Sequence, residues 1–502
     1  MTLSADTART PKPDPQSHRL AVGTLRMLAG TAFGVVCGVV LMVYVPRALG
    51  KDKYAIVAVV NSIIICIEWI GTAVLIGALP KFVADAREEW RRLAQSVFLA
   101  GLVLLSLMAG LLFASAPFVA RFLGDATLIP YLQVFSLDIV ARGLFYVFQA
   151  VLLGRKRYER RVLALVAFWT AKLIFTILFV SLTHSVYGVI AGTMMASLTG
   201  AIFSYAASNV GRPGYSVPLT PLWRFSWPLV VSASVIWVTR SADIWMVKRF
   251  LAESDAVAHY GIAVVMYISL MTVISTASQA VLPTLTQAFQ AGERGRFHRL
   301  VQKSFRLVFL FMAFAIVIYS ASAKPWIHLV FGEEYLPGWK PAAILLWCSL
   351  FGAVVGVNNV VLVAGNRPKM RLLIEPPALL ILIVVGRYLI PHYGITGAAV
   401  SMALAYGYVA MASLVITGVL FGVSVGYVSL IRTALVSVAT LFWGRTWEAA
   451  GLMVVGKSVV LAMVLLGLLY LTTEVRREDF EPVLRVFHIP RCRRPRDKGT
   501  AD

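Results

Sequence analysis

An α-helix needs about 20 consecutive apolar residues to cross the hydrocarbon of a bilayer. This chain supplies fourteen such runs, near residues 20–45, 54–79, 94–118, 129–153, 162–182, 186–208, 225–248, 257–282, 304–327, 342–364, 372–390, 395–420, 427–443 and 448–471. A backbone in hydrocarbon must satisfy its own hydrogen bonds, so each run is expected to be a helix. Only 14% of the 502 residues are charged, and the charges collect between the runs. Soluble chains carry about a quarter. The expected fold class is an all-α polytopic membrane protein with 14 transmembrane helices. The run at 427–443 is the weakest, because Arg432 stands near its start.

The loops indicate orientation. With the N-terminus in the cytoplasm, the cytoplasmic segments include KFVADAREEWRR, GRKRYERR, GERGRFHRLVQK, GNRPKMR and RCRRPRDK. About 32 of the 46 Lys and Arg then lie on that side and about 10 on the other; this bias sets orientation because cationic short loops resist translocation. Both termini are therefore expected in the cytoplasm. Topology explains most of the net charge of +22, so no nucleic-acid partner is expected. The basic tail can touch anionic membrane lipid instead. Residues 1–19 are polar, contain three prolines and lack an apolar core. They read as a disordered cytoplasmic tail rather than a cleaved signal.

The chain also repeats itself. PHYGITGAAVSMA echoes SVYGVIAGTMMAS, with Tyr187 and Tyr393 separated by 206 positions. Tyr54 and Tyr260 are also 206 apart, Gly124 and Gly332 208, and Gly154 and Gly365 211. Four collinear pairs indicate a duplication. The offset spans six runs, an even number, so the halves cross the membrane in the same sense. That predicts a parallel pseudo-two-fold about an axis along the membrane normal. The expected organisation is a tail at 1–19, an N-lobe at 20–210, a C-lobe at 223–421, two further helices at 427–471 and a basic cytoplasmic tail at 472–502.

Ionisable residues inside runs are the most informative side chains, since each costs roughly 2.5–3.5 kcal/mol at a helix centre on insertion scales. Asp138 and Arg142 are four apart, on one helical face, and can pair. Arg240 and Asp243 are three apart, with Asp243 toward the outer end; they either pair or line a lumen. Glu68 stands mid-run in NSIIICIEWIGTA without a cation nearby in sequence. Its face also holds Asn61 and Thr72. Either Lys172 or Arg240 neutralises it from another helix, or it couples transport to a proton or sodium ion. Lys172, in FWTAKLIFT, is either an anion ligand or a partner for an acid. Glu375 and Lys457 lie near run ends and can snorkel. Gly30, Gly34 and Gly38 permit close helix approach. Thr272, Ser275 and Gln279 form a polar stripe that serves a lumen or interhelical bonding.

Signatures of catalysis are missing. The seven histidines form no H-E-x-x-H, and neither a P-loop nor a G-x-S-x-G occurs. No connecting segment exceeds roughly 20 residues, far too few for a nucleotide-binding domain of ordinary size. The chain is expected not to be an enzyme and to need no cofactor. Cys37, Cys66 and Cys348 lie inside runs, and Cys492 in the tail; their spacing fits neither a disulfide framework nor a zinc site.

Taken in order, PRALGKDKYAIV, ALPKFVAD, LLGRKR, YGVIAG, FSWPLVVSAS, RSADIWMVKRFL, YGIAVVM, AVLPTLT, FGEEY, VLVAGNRPK and HYGITGAAVS resemble the bacterial polysaccharide-export flippases (Wzx-type). These belong to the superfamily of the multidrug extruders and the lipid II flippase. The resemblance covers residues 20–430. It implies a V-shaped pair of six-helix lobes around a cationic cavity lined by helices 1, 2, 7 and 8. Carried onto this chain, that favours Arg26, Glu68, Arg240, Asp243 and Gln279. It implies undecaprenyl-diphosphate-linked oligosaccharide as cargo, moved by alternating access from the cytoplasmic to the outer face of the bacterial inner membrane. Polymerase and glycosyltransferase machinery for O-antigen or exopolysaccharide are the implied partners, and the last two helices are implied to form a groove for the lipid tail. The chain departs from the family in helices 1 and 2, where Arg26 is the lone cation. A proton- or sodium-coupled multidrug antiporter is the rival of the same superfamily, kept open by Glu68, Asp138 and Asp243.

Overall fold

The computed structural model describes residues 15–86, 89–211, 219–251, 253–423, 427–447, 449, 451 and 453–472. The expected tails therefore lie almost wholly outside the described residues. Fourteen α-helices follow one another: α1 (Pro15–Asp85), α2 (Trp90–Leu123), α3 (Leu128–Ser136), α4 (Asp138–Gly154), α5 (Tyr158–Thr183), α6 (Val186–Ser208), α7 (Thr220–Leu251), α8 (Ser254–Gln290), α9 (Arg294–Ala321), α10 (Ala323–Val330), α11 (Trp339–Ala364), α12 (Arg371–Phe421), α13 (Tyr427–Arg445) and α14 (Met453–Leu471). No strand occurs among the described residues.

Eleven helical stretches are long and apolar enough to span a bilayer. Two of them count twice. α1 doubles back at Gly50 (φ 74°, ψ 170°) and α12 at Gly394 (φ 60°, ψ −142°). Such backbone is open almost only to glycine, and each glycine stands just after a proline, Pro46 or Pro391. α3 and α4 make one span with a break at Leu137. Adding α13, the fourteen expected passes are all present. α13 carries Arg432 and Arg445 within 19 residues. α1 begins at Pro15, inside the segment expected to be a tail.

The duplication is written in the backbone. Residues with left-handed φ recur as Gly124 and Gly332, Lys156 and Asn366, His184 and Gly394, and Asn209 and Gly422. Each pair closes the corresponding helix in its lobe. Within the lobes, Gln149 Nε2 donates to Ser204 Oγ at 3.1 Å, and Asn358 Nδ2 donates to Ser413 Oγ at 2.9 Å. Both bonds join residues 55 positions apart.

We call the end that carries Gly50, His184 and Gly394 the outer end, after the expected orientation. There the lobes share one buried core, running from Tyr54 and Leu128 in the first to Tyr260 and Tyr335 in the second. Toward the inner end the cores separate. One, around Leu79, Trp90 and Phe148, serves the N-lobe with the start of α7; another, around Phe297, Val361 and Val409, serves the C-lobe. Polar contacts bind the lobes at the outer end: Lys51 to Asp255 at 2.6 Å, Lys248 to Asp125 at 2.6 Å, Ser254 to Asp52 at 2.9 Å, and Tyr335 to the carbonyl of Pro46 at 3.0 Å.

α13 and α14 pack outside the repeat. Leu461, Leu465 and Leu469 of α14 meet Leu310, Ala313 and Val317 of α9. Lys457 does not snorkel, contrary to expectation. It is buried and donates to the carbonyls of Trp447 and Ala321, the last residue of α9, because those terminal carbonyls offer closer acceptors than water.

Candidate functional site

At the centre of the N-lobe, α1, α4 and α6 converge on Arg142. Its guanidinium lies 3.3 Å from Asp138 and 4.0 Å from Glu68, and its Nε donates to Ser197 Oγ at 3.0 Å. The expected Asp138–Arg142 pair is therefore present. The cation beside Glu68 is Arg142, shared with Asp138, rather than Lys172 or Arg240, a tertiary contact that sequence spacing does not reveal. Glu68 Oε1 and Asp138 Oδ1 are buried and accept no hydrogen bond. Two carboxylates thus face one guanidinium in an apolar setting. Thr72 bonds the carbonyl of Glu68 at 2.7 Å, fixing that turn of the helix.

Lys172 of α5 forms no ion pair among the described residues. Its ammonium lies 5.5 Å from the Trp169 ring centre. The glycine stripe of α1 makes this possible. A Cβ on Gly30 would strike Val162, and one on Gly34 would strike the Trp169 indole. Close helix packing is therefore the use of that stripe, and it seats Trp169 and Lys172 against α1.

Arg240, midway along α7, is exposed to solvent. It does not pair with Asp243. Asp243 is buried and accepts the Tyr260 hydroxyl at 2.8 Å and its neighbour's amide, Ile244 N, at 2.8 Å. Although Asp243 stands toward the outer end, the shared outer core closes over it. Arg240 instead lies 5.2 Å over the ring of Trp237. Trp237 in turn stacks on Trp69 at 4.8 Å and 10°, and Trp69 meets Tyr146 at 5.8 Å. A column of three aromatic rings and one cation therefore crosses from lobe to lobe at mid-depth. Sequence spacing does not single out either tryptophan, although Trp69 adjoins Glu68 in IEWIG and Trp237 stands three residues before Arg240 in WVTRS. On the C-lobe side Glu375 is buried and pairs with Arg371 at 3.7 Å rather than snorkelling, since its helix neighbour supplies the countercharge. Arg26 and Gln279 occupy helical positions, and their side chains, with that of Ser275, lie outside the described residues. Thr272 is exposed and bonds the carbonyl of Ile268.

Residues 44–339 match the family described as polysaccharide biosynthesis protein. The chain belongs to that family. It is 24% identical over 301 residues to the succinoglycan biosynthesis transport protein ExoT of Rhizobium meliloti (strain 1021). The matched part is 60% of each, so the chain spans about three fifths of that curated relative. Its fold resembles the lipid II flippase MurJ in an inward closed conformation, with TM-score 0.76 and 13% identity, covering 89% of this chain and 99% of that one. It also resembles an inward-facing multidrug resistance MATE family transporter of the MOP superfamily, with TM-score 0.66 and 12% identity, covering 80% and 98%. At these identities the likeness concerns the fold. The chain thus shares the two-lobed fold of these two solved structures, one a flippase and the other a transporter.

Proposed function

We propose that the chain is a flippase for polyprenyl-diphosphate-linked oligosaccharide. It carries its cargo from the cytoplasmic to the outer face of a bacterial inner membrane by alternating access, with both termini cytoplasmic, and feeds the polymerase and glycosyltransferase machinery of surface-polysaccharide assembly. The observation that carries this reading is Arg240, an exposed cation at mid-depth on the boundary between lobes that forms no ion pair among the described residues, in a chain of a polysaccharide family. An oligosaccharide headgroup would lose its water hydrogen bonds in hydrocarbon, so a polar cleft with a cation for the diphosphate meets its needs. With the inside negative, each negative charge carried outward gains about 2.3 kcal/mol per 100 mV. Glu68 and Asp138, two carboxylates against one guanidinium, are the place where a proton or sodium ion would couple to the cycle.

That acidic pair also supports the rival reading, a cation-coupled multidrug antiporter. Arg240 counts against it, since a cationic drug would be repelled at the lobe boundary. The deciding experiment is reconstitution of the purified chain into proteoliposomes loaded with undecaprenyl-diphosphate-linked oligosaccharide. Transport should expose the glycan of the trans leaflet to an added glycosidase, and Arg240→Ala with Lys172→Ala should slow this while leaving membrane insertion intact. Normal flipping by the stable double variant removes the anion site, and drug efflux without flipping replaces the reading altogether.

A further inference from the structure

We propose that the Trp69–Trp237 stack is a latch between the lobes that a pyranose ring of the cargo opens by taking one indole's place, with Arg240 beside it holding the cargo's anionic group. This rests on the flippase reading and assigns its carbohydrate subsite. The two indoles belong to different lobes, Trp69 to the second limb of α1 and Trp237 to α7. They are half-buried and nearly parallel, so each spends one flat face on the other. The outer faces of the pair are covered by Tyr146 and Arg240. Any motion that parts the lobes at mid-depth must separate the indoles and leave two apolar faces uncovered where the headgroup passes.

A pyranose suits such a face. One side of the sugar ring presents a sheet of C–H bonds, which settles on an indole through dispersion and the negative ring quadrupole. Its hydroxyls remain at the ring edge, and Ser62 and Asn61 lie about two turns further outward on α1. Ser62 already accepts Trp245 Nε1 at 2.9 Å across the same lobe boundary. Arg240, three residues beyond Trp237, reaches a phosphate or an acidic sugar substituent with paired N–H donors. A planar aromatic cation would fit the indole but not the guanidinium, so an anionic glycoconjugate is the ligand class favoured. Because the sugar occupies the indole only in the parted state, cargo binding shifts the lobes toward that state.

The test compares binding of undecaprenyl diphosphate bearing N-acetylglucosamine, glucose or galactose with binding of bare undecaprenyl diphosphate. Native mass spectrometry of the purified full chain reads both ligands. Wild type should prefer the sugar-bearing carriers. Trp69→Ala and Trp237→Ala should reduce that preference about three- to ten-fold, Trp69→Phe and Trp237→Phe should keep most of it, and Arg240→Gln should weaken all four ligands alike. Alanine variants that keep the wild-type preference overturn the latch while leaving the flippase reading intact; wild type that binds no carrier overturns both. Should the alanine variants not fold, the fluorescence difference between wild type and Trp69→Phe decides. It should change with sugar-bearing carrier and not with bare carrier, and an identical response to both overturns the latch.

Discussion

Arg142 is the residue on which the N-lobe centre depends. It is the one guanidinium facing two buried carboxylates. Removing one partner from a buried ion pair leaves an uncompensated charge, at about 3–5 kcal/mol. Arg142→Met should therefore lower the melting temperature of the purified protein far more than Glu68→Gln, which leaves the Asp138–Arg142 pair whole. Equal losses from the two substitutions would mean that Arg142 acts by packing on Phe168, 5.0 Å away, rather than by charge. How much of this was legible depended on distance along the chain. Asp138 and Arg142 share one helix face, so spacing alone paired them. Glu68 lies 74 positions upstream of Arg142, and its sequence neighbourhood says nothing about α4. The tryptophans at the lobe boundary were less visible still, since an indole in an apolar run is indistinguishable from core until its partner's helix is placed.

Among elements, one tightly constrained contact is the first limb of α1 against α5. Gly34 admits the edge of the Trp169 indole where a side chain would collide with it. Gly34→Leu should cost about 1–3 kcal/mol as an overpacked site, seen as earlier thermal aggregation, and Trp169→Ala in the same chain should relieve part of the loss. Additive losses would show that the collision is not the cause. Helix number and length were readable because about 20 apolar residues are needed for each span. The breaks were readable only in part. The reversals at Gly50 and Gly394 fall in the gaps between the runs 20–45 and 54–79 and the runs 372–390 and 395–420, whereas the interruption at Leu137 lies inside the single run 129–153.

For the whole molecule, closure at the outer end rests on contacts between lobes that can be tested one by one. A Cβ on Gly261 would lie 3.2 Å from that of Ala58, a few tenths of an ångström below the short limit of about 3.5 Å in a disulfide, so a slight parting of the two helices would admit one. Ala58→Cys with Gly261→Cys should form a bond that stops transport and is reversed by a reductant. Transport by the fully cross-linked protein would mean that the lobes need not part there. The Asp125–Lys248 bridge adds a pH dependence. Burial raises the Asp125 carboxyl, but hydrogen bonds from Lys248 and Thr127 outweigh it and hold the group below its ordinary value. A carboxylate with a depressed folded-state pKa stabilises the fold at every pH above its unfolded value, and that stability is lost as pH falls through the folded value. The stability gap between wild type and Asp125→Asn should thus be constant near neutrality and shrink below about pH 4. The parallel repeat was legible from four pairs of residues because a duplicated lobe needs the same turns in the same places. The closed outer end was not, since its contacts join segments that only the folded lobes bring together. The recurrence of left-handed turns and of the Gln149–Ser204 and Asn358–Ser413 bonds also bears on how the protein can be made. Each lobe closes its own helices with its own internal bonds, and helices already inserted in a membrane associate as preformed pieces. Severed between α6 and α7 and encoded by two genes, the halves should meet in the bilayer and restore surface polysaccharide together, although neither does so alone.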